Sequence, residues 1–257
     1  MNRLDALFAV KPRNVLNVYC TAGFPSINST PEIMLALQQH GADIIEVGMP
    51  YSDPVADGPV IQQSNMKALE NGMSIRLLFE QLQSIKDQLT VPVVLMGYIN
   101  PVLQYGMEAF CEAAAAAGVS ALILPDLPMF EYEQLYQSTF NKFGLHAIFL
   151  ITPVTPPDRI ARADRLSGGF LYAVSSASTT GATNTSGDKT AYFKRLKKLK
   201  LKNPLLIGFG IKDRQGFEEA ASYASGAIIG SAFIEHIENA GDANGAVKQY
   251  LSTILGN

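Results

Sequence analysis

The sequence predicts a single-domain α/β protein of the (β/α)8 barrel class, in which eight parallel strands are surrounded by helices. Eight short runs rich in β-branched and other apolar residues recur along the 257 residues, with helically spaced segments between them. Most runs are apolar at consecutive positions, which is typical of parallel strands that are covered on both faces. Eight strand–helix units in about 250 residues favour a closed barrel over an open doubly wound sheet.

The predicted strands are 17–20, 44–47, 92–96, 121–124, 147–151, 170–174, 204–207 and 227–229. The predicted helices are 31–40, 75–88, 107–117, 131–143, 157–165, 190–199, 214–223 and 244–255. The first strand leads into Thr21-Ala-Gly-Phe-Pro25 and not into the G-x-G-x-x-G turn of a dinucleotide-binding sheet, which argues against the open alternative. No linker rich in Pro, Gly and Ser divides the chain, so we expect one barrel domain over residues 1–257.

The composition is that of a globular protein whose partners are small molecules or other proteins. Apolar residues make up 47% of the chain, and 20 Lys and Arg against 23 Asp and Glu give a net charge of −3, which provides no general attraction to nucleic acid or membranes. Cys20 and Cys111 lie far apart in apolar stretches, so we expect buried thiols and no disulfide or zinc site. With no signal peptide and no transmembrane run, a cytoplasmic protein is expected.

Glu46 is the most informative single residue, because it interrupts the apolar run 44–47. An ionised carboxylate in such a strand is costly unless it is paired or takes up a proton. A carboxyl group whose pKa is raised by burial is suited to general acid–base catalysis near neutral pH. The alternative is a Glu held in an ion pair beneath the mouth of the barrel.

Two long loops follow predicted strands, and active sites of such barrels lie at these ends of the strands. We expect mobile loops at about 51–60, after strand two, and at about 175–189, after strand six. The segment 48–59 carries three prolines, which restrict the backbone and favour fixed positions for Asp53 and Asp57. Ordinary Asp-Pro and Asp-Gly turns are the alternative explanation.

Glycine-rich turns after the last strands indicate a phosphate site. Gly208-Phe-Gly-Ile211 follows strand seven, Gly230-Ser231 follows strand eight and opens a helix, and Gly181 lies in the loop after strand six. Barrels of this class commonly bind phosphate with the loops after strands seven and eight. A phosphorylated small substrate is therefore predicted.

Groups that metal-dependent and Schiff-base aldolases use are missing from the expected places. None of the three histidines belongs to a spaced ligand pair, and no predicted strand contains a lysine. A metal site and a Schiff-base nucleophile are therefore not expected. The basic run 194–200 has leucines at helical spacing, which favours the solvated outer face of a helix over a nucleic-acid site.

Several motifs, in order along nearly the whole chain, resemble the signature of the tryptophan synthase α subunit family. They are Thr21-Ala-Gly-Phe-Pro25, 45–62 (IEVGMPYSDPVADGPVIQ), Met96-Gly-Tyr-Ile-Asn-Pro101, Pro125-Asp-Leu-Pro128, Gly208-Phe-Gly-Ile211 and Gly230-Ser-Ala232. That family is a (β/α)8 barrel that cleaves indole-3-glycerol phosphate into indole and glyceraldehyde 3-phosphate without a cofactor. The resemblance implies that Glu46 is the general acid–base group and that Asp57 accepts the indole N–H.

The resemblance also implies the remaining site residues. An indole pocket is formed by Met96, Tyr98 and Tyr172. The phosphate cradle is formed by Gly210, Gly230 and Ser231, with Gly181 and Thr183 on the loop after strand six. That loop departs from the family pattern, because 175–184 (SSASTTGATN) carries extra residues and has Asn184 where a glycine often stands.

The family acts with a pyridoxal-phosphate β subunit in an αββα heterotetramer, which takes up the released indole. The resemblance places Asp53, Pro54 and Pro128 on loops that face this partner. Two alternatives remain open: another phosphate-binding barrel, such as a sugar-phosphate isomerase or an indole-glycerol-phosphate synthase, and a catalytically silent barrel that activates its partner.

Overall fold

The computed structural model describes residues 1–174, 186–208 and 210–256. The strands are β1 Val15–Thr21, β2 Ile44–Gly48, β3 Val93–Met96, β4 Val119–Ile123, β5 His146–Ala147, β6 Leu150–Ile151, β7 Leu171–Val174, β8 Leu205–Gly208 and β9 Gly226–Ile229. The helices are α1 Arg3–Val10, α2 Ser29–Gln39, α3 Pro59–Glu70, α4 Ile75–Ile85, α5 Ile99–Tyr105, α6 Met107–Ala116, α7 Met129–Glu131, α8 Gln137–Lys142, α9 Pro157–Leu166, α10 Ser186–Lys197, α11 Arg214–Tyr223, α12 Ser231–Ile237 and α13 Ala243–Leu255. A π-helical turn, Tyr132–Tyr136, joins α7 to α8.

All strands belong to one parallel sheet whose order is β5-β4-β3-β2-β1-β9-β8-β7-β6. Only Ile148 and Phe149 separate β5 from β6, so these two pieces form one position in the sheet. The Ile148 N–H donates to Leu122 O in β4 at 3.0 Å, and the Tyr172 N–H of β7 donates to Phe149 O at 3.1 Å. The sheet therefore closes on itself with eight strand positions, which confirms the predicted barrel.

The strands are buried on both faces, as the continuous apolar runs predicted. Inside the barrel, Tyr19 of β1 lies opposite Glu46 of β2, and Glu46 lies opposite Val94 of β3. Side chains two residues apart on a strand share a face, so Asn17 points to the same side of the sheet as Tyr19. Polar residues of two neighbouring strands thus meet in the interior.

The N-terminal helix α1, which the sequence did not indicate, packs against the end of the barrel where the strands begin. The Asn2 side chain caps it by accepting from the Leu4 N–H at 2.9 Å and donates to Ser120 O at 2.8 Å. Leu4 is fully buried, and the ring of Phe8 lies 6.3 Å from that of Phe170. This helix therefore covers the end opposite to the predicted site.

The predicted helices all occur, with ends that differ by a few residues. The structure adds α1, α3 and α5, for which no helix was predicted, and it contains α12, whose start at Ser231 the sequence indicated. Helix α3 begins at Pro59, directly after the proline-rich segment, so the loop features hid the helical start. Cys20 and Cys111 are buried free thiols, as predicted. None of the helices in the described ranges is long and apolar enough to cross a membrane.

Candidate active site

A cavity of about 250 Å³ opens at the end of the barrel where the strands finish. Its walls come from strands on opposite sides of the barrel and from the loops that follow them. Six residues that contribute side chains to it are Tyr19, Glu46, Asp57, Met96, Tyr172 and Ser231. The cavity therefore lies at the end of the barrel where the sequence predicted the site. The six residues come from positions up to 212 apart in the chain.

Glu46 lies in this cavity with only 1% of its surface exposed. Its Oε2 accepts a hydrogen bond of 2.7 Å from Asn17 Nδ2, and no Lys, Arg or His among the described residues pairs with it. The described residues therefore do not form the Glu46 ion pair that was the alternative explanation. Burial, with a smaller contribution from the nearby Asp57 charge, raises the pKa of Glu46 to about 7 against the opposing effect of the Asn17 hydrogen bond.

Asp57 reaches the same cavity from the loop between β2 and α3. Its Oδ2 accepts a hydrogen bond of 3.0 Å from Tyr98 Oη, and the same Tyr98 oxygen accepts from the Ala56 N–H at 2.9 Å. Burial raises the pKa of Asp57 to about 6, while the Tyr98 hydrogen bond lowers it. The two carboxyl groups therefore titrate near neutrality, in the range useful for proton transfer.

The loop that carries Asp57 is built from short turns. The Val55 N–H donates to Asp53 O at 2.9 Å, and the Asp57 N–H donates to Pro54 O at 3.1 Å. Ser52 Oγ donates to Asp53 Oδ2 at 2.6 Å. The structure therefore contains the turns of the second explanation, and these turns also set the position of Asp57, whose functional role stays a prediction. Mobility of this loop stays a prediction.

Two glycines at strand ends make room for the aromatic walls of the cavity. A Cβ on Gly48 would lie 2.0 Å from Tyr19 Oη, and a Cβ on Gly208 would lie 2.4 Å from Tyr172 Oη. The glycines that follow the apolar runs therefore seat Tyr19 and Tyr172 against neighbouring strands. The resulting pocket, with Met96, is flat-sided and largely apolar.

Tyr98 occupies a different place from the other predicted pocket residues. It is 3% exposed, its ring lies 5.3 Å from that of Tyr51, and its hydroxyl is engaged with Asp57. Met96 and Tyr172 line the cavity, whereas Tyr98 lies behind Asp57 and is absent from the lining. Its observed contact is with the catalytic candidate.

The predicted phosphate cradle lies on the other side of the same cavity. Gly210 has φ of +73°, which favours glycine, and no atom lies within 4 Å of the position where its Cβ would stand. Gly230 and Ser231 precede and open α12, and the exposed Lys212 also lines this side. Predicted residues Gly181 and Thr183, and also Asn184, lie outside the described residues.

The predicted partner residues lie on loops at this same end of the barrel. Asp53 and Pro128 are exposed, while Pro54 is buried within the chain. Large apolar side chains are exposed in the segments after β2, β4 and β6, namely Val55, Phe130 of α7 and Val154 at 75%, 63% and 77%. Such a set of exposed apolar residues around the mouth is typical of an interaction surface.

Several residues of the site were not predicted, among them Asn17, Tyr19 and Lys212. Asn17 interrupts an apolar strand just as Glu46 does, so the same reasoning could have identified it. Tyr19 could have been found from its position opposite Glu46 once the strands were aligned. Lys212 offered no signal in the sequence, because one lysine after a glycine-rich turn is common. In the parts of the chain that the structure describes, no group of three or more His, Cys, Asp or Glu is arranged to hold a metal ion.

Fold and site together define a (β/α)8-barrel protein with two carboxyl groups of raised pKa in a cavity at the carboxyl ends of its strands. Residues 7–256 match the family model described as tryptophan synthase alpha chain. The chain is 50% identical over 245 residues to the tryptophan synthase alpha chain of Christiangramia forsetii, covering 95% of each. It is 46% identical to that of Flavobacterium johnsoniae, covering 99% of this chain and 100% of the relative. The chain therefore belongs to the tryptophan synthase alpha chain family.

Solved structures give the same result. Tryptophan synthase subunit alpha from Legionella pneumophila str. Paris is similar with a TM-score of 0.90 at 33% identity, covering 99% of this chain and 97% of that one. A chain of the tryptophan synthase complex from Pyrococcus furiosus is similar with a TM-score of 0.85 at 32% identity, covering 95% and 99%. The barrel seen here is therefore that of the family.

Proposed function

We propose that this chain cleaves indole-3-glycerol phosphate to indole and D-glyceraldehyde 3-phosphate, the lyase half-reaction of tryptophan biosynthesis. The observation that carries the proposal is the placement of Glu46. It is a buried carboxyl with a pKa near 7, and it faces a cavity that holds a second carboxyl and aromatic walls. Family membership supports the choice of substrate.

The chemistry needs one proton to be added and one to be removed. Protonation of indole C3 converts the ring to an indolenine cation. The bond between C3 and the glycerol carbon then breaks, its electron pair returns to the ring, and the adjacent hydroxyl loses its proton to become the aldehyde. Glu46 serves both steps, since a group with a pKa near the working pH can donate and accept.

Asp57 stabilises the positive charge that develops on the ring. In this proposal its carboxylate accepts the indole N–H, whose acidity rises when C3 is protonated, so the bond strengthens towards the transition state. Tyr98 holds the Asp57 carboxylate in place through its hydroxyl. Because the ring itself takes up the electron pair, the reaction is expected to require neither a lysine nor a metal nor a cofactor in this chain.

The rest of the cavity fits the two ends of the substrate. Tyr19, Met96 and Tyr172 offer apolar walls to the indole ring. The turn at Gly210 and the start of α12 at Gly230 and Ser231 offer backbone N–H groups to the phosphate, and Lys212 adds a positive charge. A phosphate at this place also orients the reacting carbon towards Glu46.

The released indole passes, in this proposal, to a tryptophan synthase beta subunit that carries pyridoxal phosphate. An exposed apolar surface around the cavity mouth is formed by Val55, Phe130 and Val154. The exposed Asp53 and Pro128 lie in the same segments of the chain. A partner seated there would cover the opening and exclude water. An α2β2 heterotetramer is the expected assembly.

The test is release of indole from indole-3-glycerol phosphate by the purified chain, with and without a beta subunit. We expect release that rises when the beta subunit is added and is lost in Glu46→Gln. Turnover of a sugar phosphate in place of indole-3-glycerol phosphate would favour a different phosphate-binding barrel. Binding of the beta subunit with no cleavage by the wild type would identify a silent activator.

A further inference from the structure

We propose that Asn17 is a positioning residue for Glu46: its amide holds one carboxyl oxygen and leaves the other to exchange the proton with the substrate. This inference rests on the proposed function, in which Glu46 transfers the proton. It concerns a residue that neither the sequence motifs nor the chemistry of the reaction single out.

The strand register places Asn17 directly beneath Glu46. Tyr19 lies opposite Glu46 across β1 and β2, and Asn17 comes two residues before Tyr19 on the same inward face. Asn17 is fully buried, and its Nδ2 donates to Glu46 Oε2 at 2.7 Å. The amide therefore approaches the carboxyl group from the interior of the barrel, on the side away from the cavity mouth.

This contact distinguishes the two oxygens of Glu46. An amide N–H only donates, so Oε2 must offer a lone pair to it, and the proton of the neutral acid is held on Oε1. Oε1 has no hydrogen-bond partner among the described residues, and Glu46 lines the cavity. The oxygen that carries the proton is thus the one available to a bound substrate.

The amide oxygen of Asn17 makes no comparable contact. Asn17 Oδ1 is buried and has no hydrogen-bond partner in the described parts of the chain. A buried amide with an unpaired oxygen lowers stability, and an apolar side chain would fill the same interior position without that cost. The single strong bond that the side chain makes is the one to Glu46.

The surroundings of Glu46 leave Asn17 as the group that favours its ionised form. Burial and the Asp57 charge both raise the pKa of Glu46, and the Asn17 hydrogen bond lowers it. Burial also raises the pKa of Tyr19 and Tyr172, which lie in the same interior, and of Cys20, on the other face of β1, so these groups remain neutral. Removing the amide therefore moves the pKa of Glu46 in one direction, upwards.

The experiment is a carboxyl titration of Glu46 by carbon-13 NMR on glutamate-labelled protein, with the resonance assigned by its loss in Glu46→Gln. In Asn17→Leu we expect the pKa of Glu46 to rise by about one to two pH units. The limb of the pH profile for indole release that reports Glu46 should move by the same amount. Asn17→Ser, a smaller change whose hydroxyl is too short for the same bond, provides a second variant if Asn17→Leu does not fold.

Asn65→Leu is the matched control, because Asn65 is also buried with an unpaired Oδ1 but lies on α3, outside the cavity lining. It should change stability and leave the titration of Glu46 unchanged. A folded Asn17 variant with the wild-type titration overturns the proposal. The titration needs no substrate, so it decides the role of Asn17 even if the wild-type chain releases no indole and the proposed function fails.

Discussion

The two carboxyl groups of the cavity are held by different kinds of structure. Glu46 lies within β2, where the strand register and the neighbouring β1 fix its position, and it is almost completely buried. Asp57 lies on a loop of short turns and is partly exposed, and its carboxylate accepts a side-chain hydrogen bond from Tyr98. In the proposed function, the strand supplies the proton-transfer group and the loop supplies the charge that accepts the indole N–H.

The two pKa values keep the order that Glu and Asp have in water. Burial raises the pKa of Glu46 from 4.5 to about 7 and that of Asp57 from 3.8 to about 6. Near neutral pH, Asp57 is mostly ionised and Glu46 is divided between its two forms. These are the states that charge stabilisation and proton transfer respectively require.

The largest expected effect separates the two roles directly. Glu46→Gln should lower the rate of indole release by about 1,000-fold, because it removes the proton-transfer group, and Asp57→Asn by about 100-fold, because a neutral acceptor remains. Single-turnover assays of indole release measure both. Glu218→Gln, which alters only a surface pair with Arg214 on α11, is the control. Equal losses in the two site variants would contradict the division of roles.

Stability should depend on pH through the strand carboxyl. Folded Glu46 keeps its proton up to about pH 7, whereas the unfolded chain loses it near 4.5, so the folded state binds more protons between these values. Stability contributed by this group therefore falls as pH rises through that range. From pH 5 to pH 8, the free energy of unfolding of Glu46→Gln, measured with urea, should rise by up to about 3 kcal/mol relative to that of the wild type. If the difference in free energy of unfolding between the variant and the wild type were the same at both pH values, Glu46 would not be desolvated in the folded state.

The loop carboxyl should respond to loss of its hydrogen bond from Tyr98. Tyr98→Phe removes the hydrogen bond to Asp57 and the anchor for the Ala56 N–H, so the pKa of Asp57 should rise above about 6. We expect about a tenfold lower rate, with the acidic limb of the pH profile moved upwards. Tyr51→Phe is the control, since the Tyr51 hydroxyl contacts Asn100 and not Asp57. If both variants had the same pH profile, the Tyr98 hydroxyl would not be the group that lowers the pKa of Asp57.

The smallest effect is expected at the outer edge of the loop. Asp53 is exposed, and its substitution by Asn should reduce the ratio of indole release with the beta subunit to release without it by about threefold. Asp87→Asn, an exposed carboxylate beyond α4, provides the comparison. Should the ratio fall equally in both variants, a general charge effect and not a contact at the cavity mouth would be responsible.

The sequence predicted the features that depend on strands better than those that depend on loops. The eight strand positions and the interior placement of Glu46 follow from apolar runs, because burial on both faces leaves a local pattern. The bond between Tyr98 and Asp57 joins residues 41 positions apart, so no local pattern reports it. The same reason explains why Tyr98 was expected in the pocket wall and is found behind Asp57.

Helices outside the barrel show a related limit. Helix α1 is short and packs its Leu4 and Phe8 on the barrel, so its stability comes from tertiary contacts more than from its own pattern. Helix α3 follows a segment of prolines and turns, which dominate the local pattern before the helix begins. Asn17 could have been predicted as a site residue, because it is a polar residue inside an apolar strand, as Glu46 is.

The most direct test of the account is the pH dependence of kcat/KM for indole release by the wild type and by Glu46→Gln, with the beta subunit present. The account predicts an ionisation near pH 7 in the wild type that disappears from the small residual rate of the variant. A variant that keeps the wild-type rate and the same ionisation would contradict the assignment of Glu46 as the proton-transfer group.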